Sequence, residues 1–101
     1  MAKFIVHIMP AAGQEIVEIY DHIADVYLAR DTAIKYRAGI HDKINSLAEC
    51  ADIFAISPFD YIQQRYGPCA RTIVYKKVTI VYTIHNNDVV IRAVIPGSSI
   101  H

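Results

Sequence analysis

Hydrophobic and polar residues change their period as this chain is read from its N-terminus. Phe4-Ile-Val-His-Ile8 is a short β-rich run closed by Met9-Pro10. Proline in the first helical turn forfeits no intrahelical hydrogen bond, so Pro10 fits a helix start. From there Ile16, Ile19, Tyr20, Ile23 and Tyr27 recur at helical spacing, with Glu15, Glu18, Asp21 and Asp25 on the opposing surface. A second apolar stripe, Tyr36, Ile40, Ile44 and Leu47, is spaced four, four and three, and Asp31 stands where it can cap that helix. Only a few residues around Ala29-Arg30-Asp31 separate the stripes. The pattern predicts two antiparallel helices with an acidic outside.

The last third shifts to β-rich runs. Lys77-Val-Thr-Ile-Val-Tyr-Thr-Ile84 and Asp88-Val-Val-Ile-Arg-Ala-Val-Ile95 flank His85-Asn86-Asn87. Asparagine tolerates positive φ better than most residues, which marks a hairpin. A third run, Cys69 to Tyr75, precedes them across Lys76-Lys77, giving a three-stranded antiparallel meander. Val78, Ile80, Tyr82 and Ile84 share one strand face, and Thr79, Val81, Thr83 and His85 share the other. Residues 51–68 are less regular. Phe59, Tyr61 and Tyr66 read as aromatics that anchor a loop over the sheet edge, with a helical turn as the rival reading. The whole predicts one α+β domain over residues 1–101, of β-α-α-β-β-β order. A helical hairpin packs on one face of a mainly antiparallel sheet, with Ile19, Ile23, Ile40, Ile44, Leu47, Ile80, Tyr82 and Ile91 in the core.

Composition narrows the functional classes. Ten basic and ten acidic residues cancel across 101 residues, but unevenly. Residues 10–50 carry four Lys/Arg against seven acids, and residues 51–101 carry five against three. Polyanion binders usually show a strong basic excess on one face; here the β half is only mildly basic, which argues against direct nucleic-acid binding. No apolar run approaches the roughly 18 residues that span a bilayer, and Met1-Ala-Lys3 leads into a strand, not a signal peptide. A cytoplasmic protein without a membrane segment is expected. Cys50 and Cys69 lack metal-ligand spacing, and His7, His22, His41 and His101 show no close pairing. Neither a metal site nor a cofactor is expected.

Two tracts resemble a known family. Ile8-Met9-Pro10-Ala-Ala-Gly-Gln-Glu15-Ile16, followed by Glu18-Ile19-Tyr20-Asp21-His22-Ile23-Ala24, looks like the opening strand and first helix of the RelE/ParE superfamily of toxins from type II toxin–antitoxin modules. Thr79-Ile80-Val81-Tyr82 through Asp88-Val89-Val90-Ile91 to Val94 looks like its closing hairpin. By element order the match covers roughly four-fifths of the chain. The acidic first helix is closer to the ParE and plasmid-stabilisation branch than to the RelE branch.

The resemblance implies different activities by branch. RelE-like members cleave mRNA on the ribosome with basic and aromatic residues displayed on the sheet, whereas ParE-like members lack that set and poison DNA gyrase. The family's arginine before the hairpin's Ile-Val-Tyr would fall here at Thr79, and the basic pair after the last strand at Ser98 and Ser99. Neutral side chains neither activate a 2′-hydroxyl nor hold developing phosphorane charge. The expectation is therefore a ParE-like gyrase inhibitor that acts by protein binding and is neutralised by a cognate antitoxin. Ribosome-dependent mRNA endonuclease activity is one alternative, and a degenerate, self-associating homodimer is another. Ile16, Tyr20, Tyr27, Arg71, Lys77, Thr79, His85 and Arg92 are the candidate partner-binding residues. Within that set Thr79, His85 and Arg92, extended by Arg71 and Lys77, would make a small basic surface on the open sheet face.

Overall fold

The computed structural model describes residues 3–96. Strand β1 (Ile5–Ile8) leads into α1 (Pro10–Asp21), a π turn (His22–Val26), α2 (Arg30–Cys50), a short 3₁₀ turn (Ala51–Ile53) and α3 (Asp60–Tyr66). Three strands follow: β2 (Arg71–Tyr75), β3 (Val78–His85) and β4 (Asp88–Pro96). Together they form an α+β domain with a four-stranded sheet in the order β1-β4-β3-β2.

The meander forms as the pattern predicts. Two-residue loops join β2 to β3 and β3 to β4, with Lys76 and Asn86 in left-handed conformations at φ +52 and +56. β1 was legible as a strand, but its place was not: it lies parallel to β4, with Val6 opposite Val89 and Ile8 opposite Ile91. Strand β4 carries a bulge at Arg92, since Val81 pairs with Ala93 and Tyr82 with Ile91. The extra residue lets Val94 return to the face of Val89 and Ile91, while Ala93 joins the opposite face.

The helical hairpin covers one face of the sheet. Ala12 and Ile16 from α1 and Ile40, Ile44 and Leu47 from α2 pack on Ile73, Val78, Ile80, Tyr82, Val89, Ile91 and Val94. Six of the eight expected core residues are fully buried. Ile19 and Ile23 are half-buried, because the chain leaves α1 through a wider π turn that breaks the 3.6-residue stripe. The opposite face is not open. Residues 60–66 form a seven-residue helix whose Ile62 packs on Ala70, Val81 and Ala93, with Tyr66 and Ile95 at the margin. The loop expected there is replaced by its rival, a helical turn, and part of the sheet face expected to meet solvent is covered.

Candidate functional site

Strand β1 stops at Ile8, so β4 beyond Ile91 has a neighbouring strand on one side only. Met9 N–H closes onto the Ile91 carbonyl at 3.1 Å, and Val94 N–H donates to Glu15 Oε1 at 3.0 Å. A carboxylate from α1 thus stands where a fifth stretch of strand would satisfy the sheet. Beside this edge opens a cleft of about 420 Å³. Glu15, Glu18 and Ile19 of α1, with His22, Ile23 and Tyr27 of the π turn and its exit, form one wall; Tyr36 of α2, Lys77, Val78, Val94 and Pro96 complete it. The volume falls in the range of ordinary ligand pockets, roughly 300–1,000 Å³.

The hairpin tip, from which Tyr27 lines the cleft, is apolar and strained. Val26, Tyr27 and Leu28 are 61, 67 and 87 % exposed in succession, and Leu28 takes φ +52. A γ-branched side chain in the left-handed region costs about 1–2 kcal/mol relative to right-handed backbone, and a largely water-facing run of three large apolar residues offsets little of that by burial. Such a run marks an interaction surface. The ring of Tyr27 meets that of His22 edge-on, centroids 5.4 Å apart.

The other candidate residues are dispersed. Ile16 is 2 % exposed and holds α1 to the sheet, so it has no surface to offer a partner. Tyr20 is half-buried with the Arg37 guanidinium 4.8 Å from its ring centroid, an interaction that ties α1 to α2. Arg71 pairs with Tyr82 and therefore lies on the hairpin's side of the sheet, where it donates to the Phe54 carbonyl. Lys77 is at the cleft. Thr79, His85 and Arg92 lie on the opposite side, with Thr83 hydrogen-bonded to His85 at 2.9 Å. The single basic surface expected from Arg71, Lys77, His85 and Arg92 is thus split between two faces. Ser98 and Ser99 lie outside the described residues.

Of the candidate partner-binding residues, Tyr27 and Lys77 line the cleft; Glu15 and Glu18 belong to the acidic outer face that the sequence shows on the first helix, while His22, Ile23, Tyr36 and Val94 join them only through the fold. The available signal was the uninterrupted Val26-Tyr27-Leu28 at the end of an acidic helix, in a turn without glycine. Among the described residues, no group of three His, Cys, Asp or Glu side chains is disposed to hold a metal ion. No described helix is long and apolar enough to cross a membrane. Cys50 donates to the Ser46 carbonyl at 3.2 Å, and Cys69 is exposed; both are free.

No protein-family model matches the chain, and no curated protein does. Among solved structures, the chain is similar to one from the chromosomal ParDE TA system of P. aeruginosa. The TM-score is 0.77 over 93 % of this chain and 96 % of that one, at 18 % identity. The fold is ParE-like, as the resemblance in the sequence implied.

Proposed function

We propose that this chain is the toxin component of a type II toxin–antitoxin module, ParE-like in kind, that acts by binding protein and is neutralised by a cognate antitoxin. The observation that supports this reading most is the cleft together with the exposed, strained hairpin tip Val26-Tyr27-Leu28, whose Tyr27 lines it. A monomer gains little from keeping such a tip in water, whereas a partner segment laid across it would bury the same residues. DNA gyrase is the target that the family resemblance implies. The fold likeness to a toxin–antitoxin component and the near-zero net charge both favour a protein partner over a polyanion.

Co-expression with the short reading frame adjacent to its gene should yield a complex that survives about 0.5 M salt, where screening shortens to a few ångströms and apolar anchors dominate. A pull-down that recovers no partner even at low salt, from a chain that is folded and monodisperse alone, would sink this reading. Purified toxin should inhibit gyrase supercoiling and leave mRNA intact in a translating extract. Cleavage there that disappears with Arg92→Ala would favour the endonuclease instead.

A further inference from the structure

The cleft separates its charges in an unusual way. Glu15 and Glu18 stand one turn apart on the α1 wall, and Lys77 is on the strand side. Among the described residues neither glutamate forms an ion pair with Lys77 or any other cation. Glu15 commits one oxygen to Val94 N–H and keeps the other. Two other tyrosines of the hairpin already hold cations: Arg37 lies 4.8 Å from the Tyr20 ring centroid, and Lys76 lies 5.4 Å from that of Tyr36, itself on the cleft wall. Tyr27, further along the same cleft past His22 and Ile23, has no such cation among the described residues and is 67 % exposed.

These groups match one kind of side chain. A guanidinium or ammonium head needs carboxylate oxygens. Its methylene stem needs an apolar trough, because long basic side chains bury their stems while the head stays near water. Ile19, Ile23 and Val78 line such a trough. We propose that the cleft seats a basic side chain of the partner protein, its stem on Ile19, Ile23 and Val78 and its charge held by Glu15 and Glu18. The naming of that partner as an antitoxin rests on the toxin–antitoxin reading; the cation seat itself does not. An acidic or neutral anchor in this place would leave two carboxylates facing it without compensation, so the cleft also selects against such partners.

The test uses the isolated chain with two small probes of the same shape, n-butylguanidinium and the neutral n-butylurea, followed by NMR of the isoleucine methyl groups. The guanidinium should shift Ile19 and Ile23 saturably, and the urea should bind about tenfold more weakly. Glu18→Gln should weaken guanidinium binding by a similar factor while its spectrum elsewhere stays that of the folded parent. Asp60→Asn, on the opposite sheet face, should change nothing. Equal responses to the two probes, or no saturable shift at Ile19 and Ile23, would overturn the proposal. If the guanidinium binds but co-expression recovers no partner, the cation seat stands and the toxin–antitoxin reading fails. If a partner is recovered but the probes do not discriminate, the reverse holds.

Discussion

Tyr82 shows how much one side chain can carry. It is fully buried, and its hydroxyl donates to the Ala51 carbonyl at 2.7 Å, joining β3 to the end of α2. Burial pushes its pKa up to about 12. The folded state therefore keeps a proton that the unfolded chain releases near pH 10, so the contribution is complete below pH 10 and is lost as pH rises towards 12. A shift of that size corresponds to roughly 2–3 kcal/mol. Denaturant titrations at pH 9 and pH 11.5 should show this extra loss in the parent and not in Tyr82→Phe, which should itself be about 1–3 kcal/mol less stable at neutral pH because Ala51 loses its donor. Gly39 is a second such point. A Cβ there would collide with the ring and hydroxyl of Tyr75, which packs edge-on against Tyr36 at 5.5 Å. Alanine improves helix propensity by about 1 kcal/mol, but displacing that ring costs about 1–3. Gly39→Ala should be destabilising by thermal unfolding, and adding Tyr75→Ala should recover much of the helix gain. Leu28 works in the opposite direction. Leu28→Gly should leave stability unchanged or raise it by up to about 1 kcal/mol, because it releases a left-handed leucine, while weakening partner capture; a clear loss of stability would show that the tip serves the fold.

At the scale of elements, the two sheet faces differ in what holds them. Ile44 on α2 and Ile80 on β3 lie in the large cluster, and truncating either to Ala should cost about 2–5 kcal/mol, measured by urea unfolding. That is a large fraction of the roughly 5–15 kcal/mol that stabilises a domain. The second face rests on a smaller cluster around Ile62, Ala70, Val81 and Ala93. Seven residues are too few to be a stable helix alone, so α3 depends on Ile62. Ile62→Ala should release α3 locally, with amide exchange rising in residues 60–66 and around Val81 before the hairpin face responds. Global unfolding in step with Ile62→Ala would mean that the two clusters act as one.

Across the whole molecule, balanced charge hides a polarity. The acids of residues 10–50 gather on the hairpin, and the cleft runs along it from Glu15 to Tyr27 near the tip. Complementary charge at such a site speeds encounter and excludes wrong partners more than it adds affinity. Raising salt from about 0.05 to about 0.5 M should therefore slow association several-fold and change dissociation little, as stopped-flow mixing with the purified partner would show. A dissociation rate that climbs as steeply as association falls would assign the affinity to ion pairs in place of apolar anchors.

Local periodicity determined most of the architecture. Ile40, Ile44, Leu47, Ile80, Tyr82 and Ile91 are core residues because a side chain's face follows from spacing of 3.6 in a helix and 2 in a strand. The β3–β4 loop follows from Asn86, which tolerates its left-handed turn, whereas the β2–β3 loop is closed by Lys76 at φ +52, which its residue type does not favour. What the sequence left open depends on distant neighbours. Whether β1 joins β4 in parallel, whether residues 60–66 coil into a helix over Val81, and whether Arg71 faces the hairpin or the other side are questions of pairing partner and register. A single stretch of chain does not carry that information. The cleft belongs to the same class. Tyr27 and Lys77 were legible as candidates, but Glu15, Glu18 and Val94 come together because β1 ends at Ile8 and leaves that edge of β4 to α1. The bulge at Arg92 adds to this by turning Val94 N–H towards α1. A concave site is a property of surfaces from several elements, and tertiary packing alone sets the distance between them.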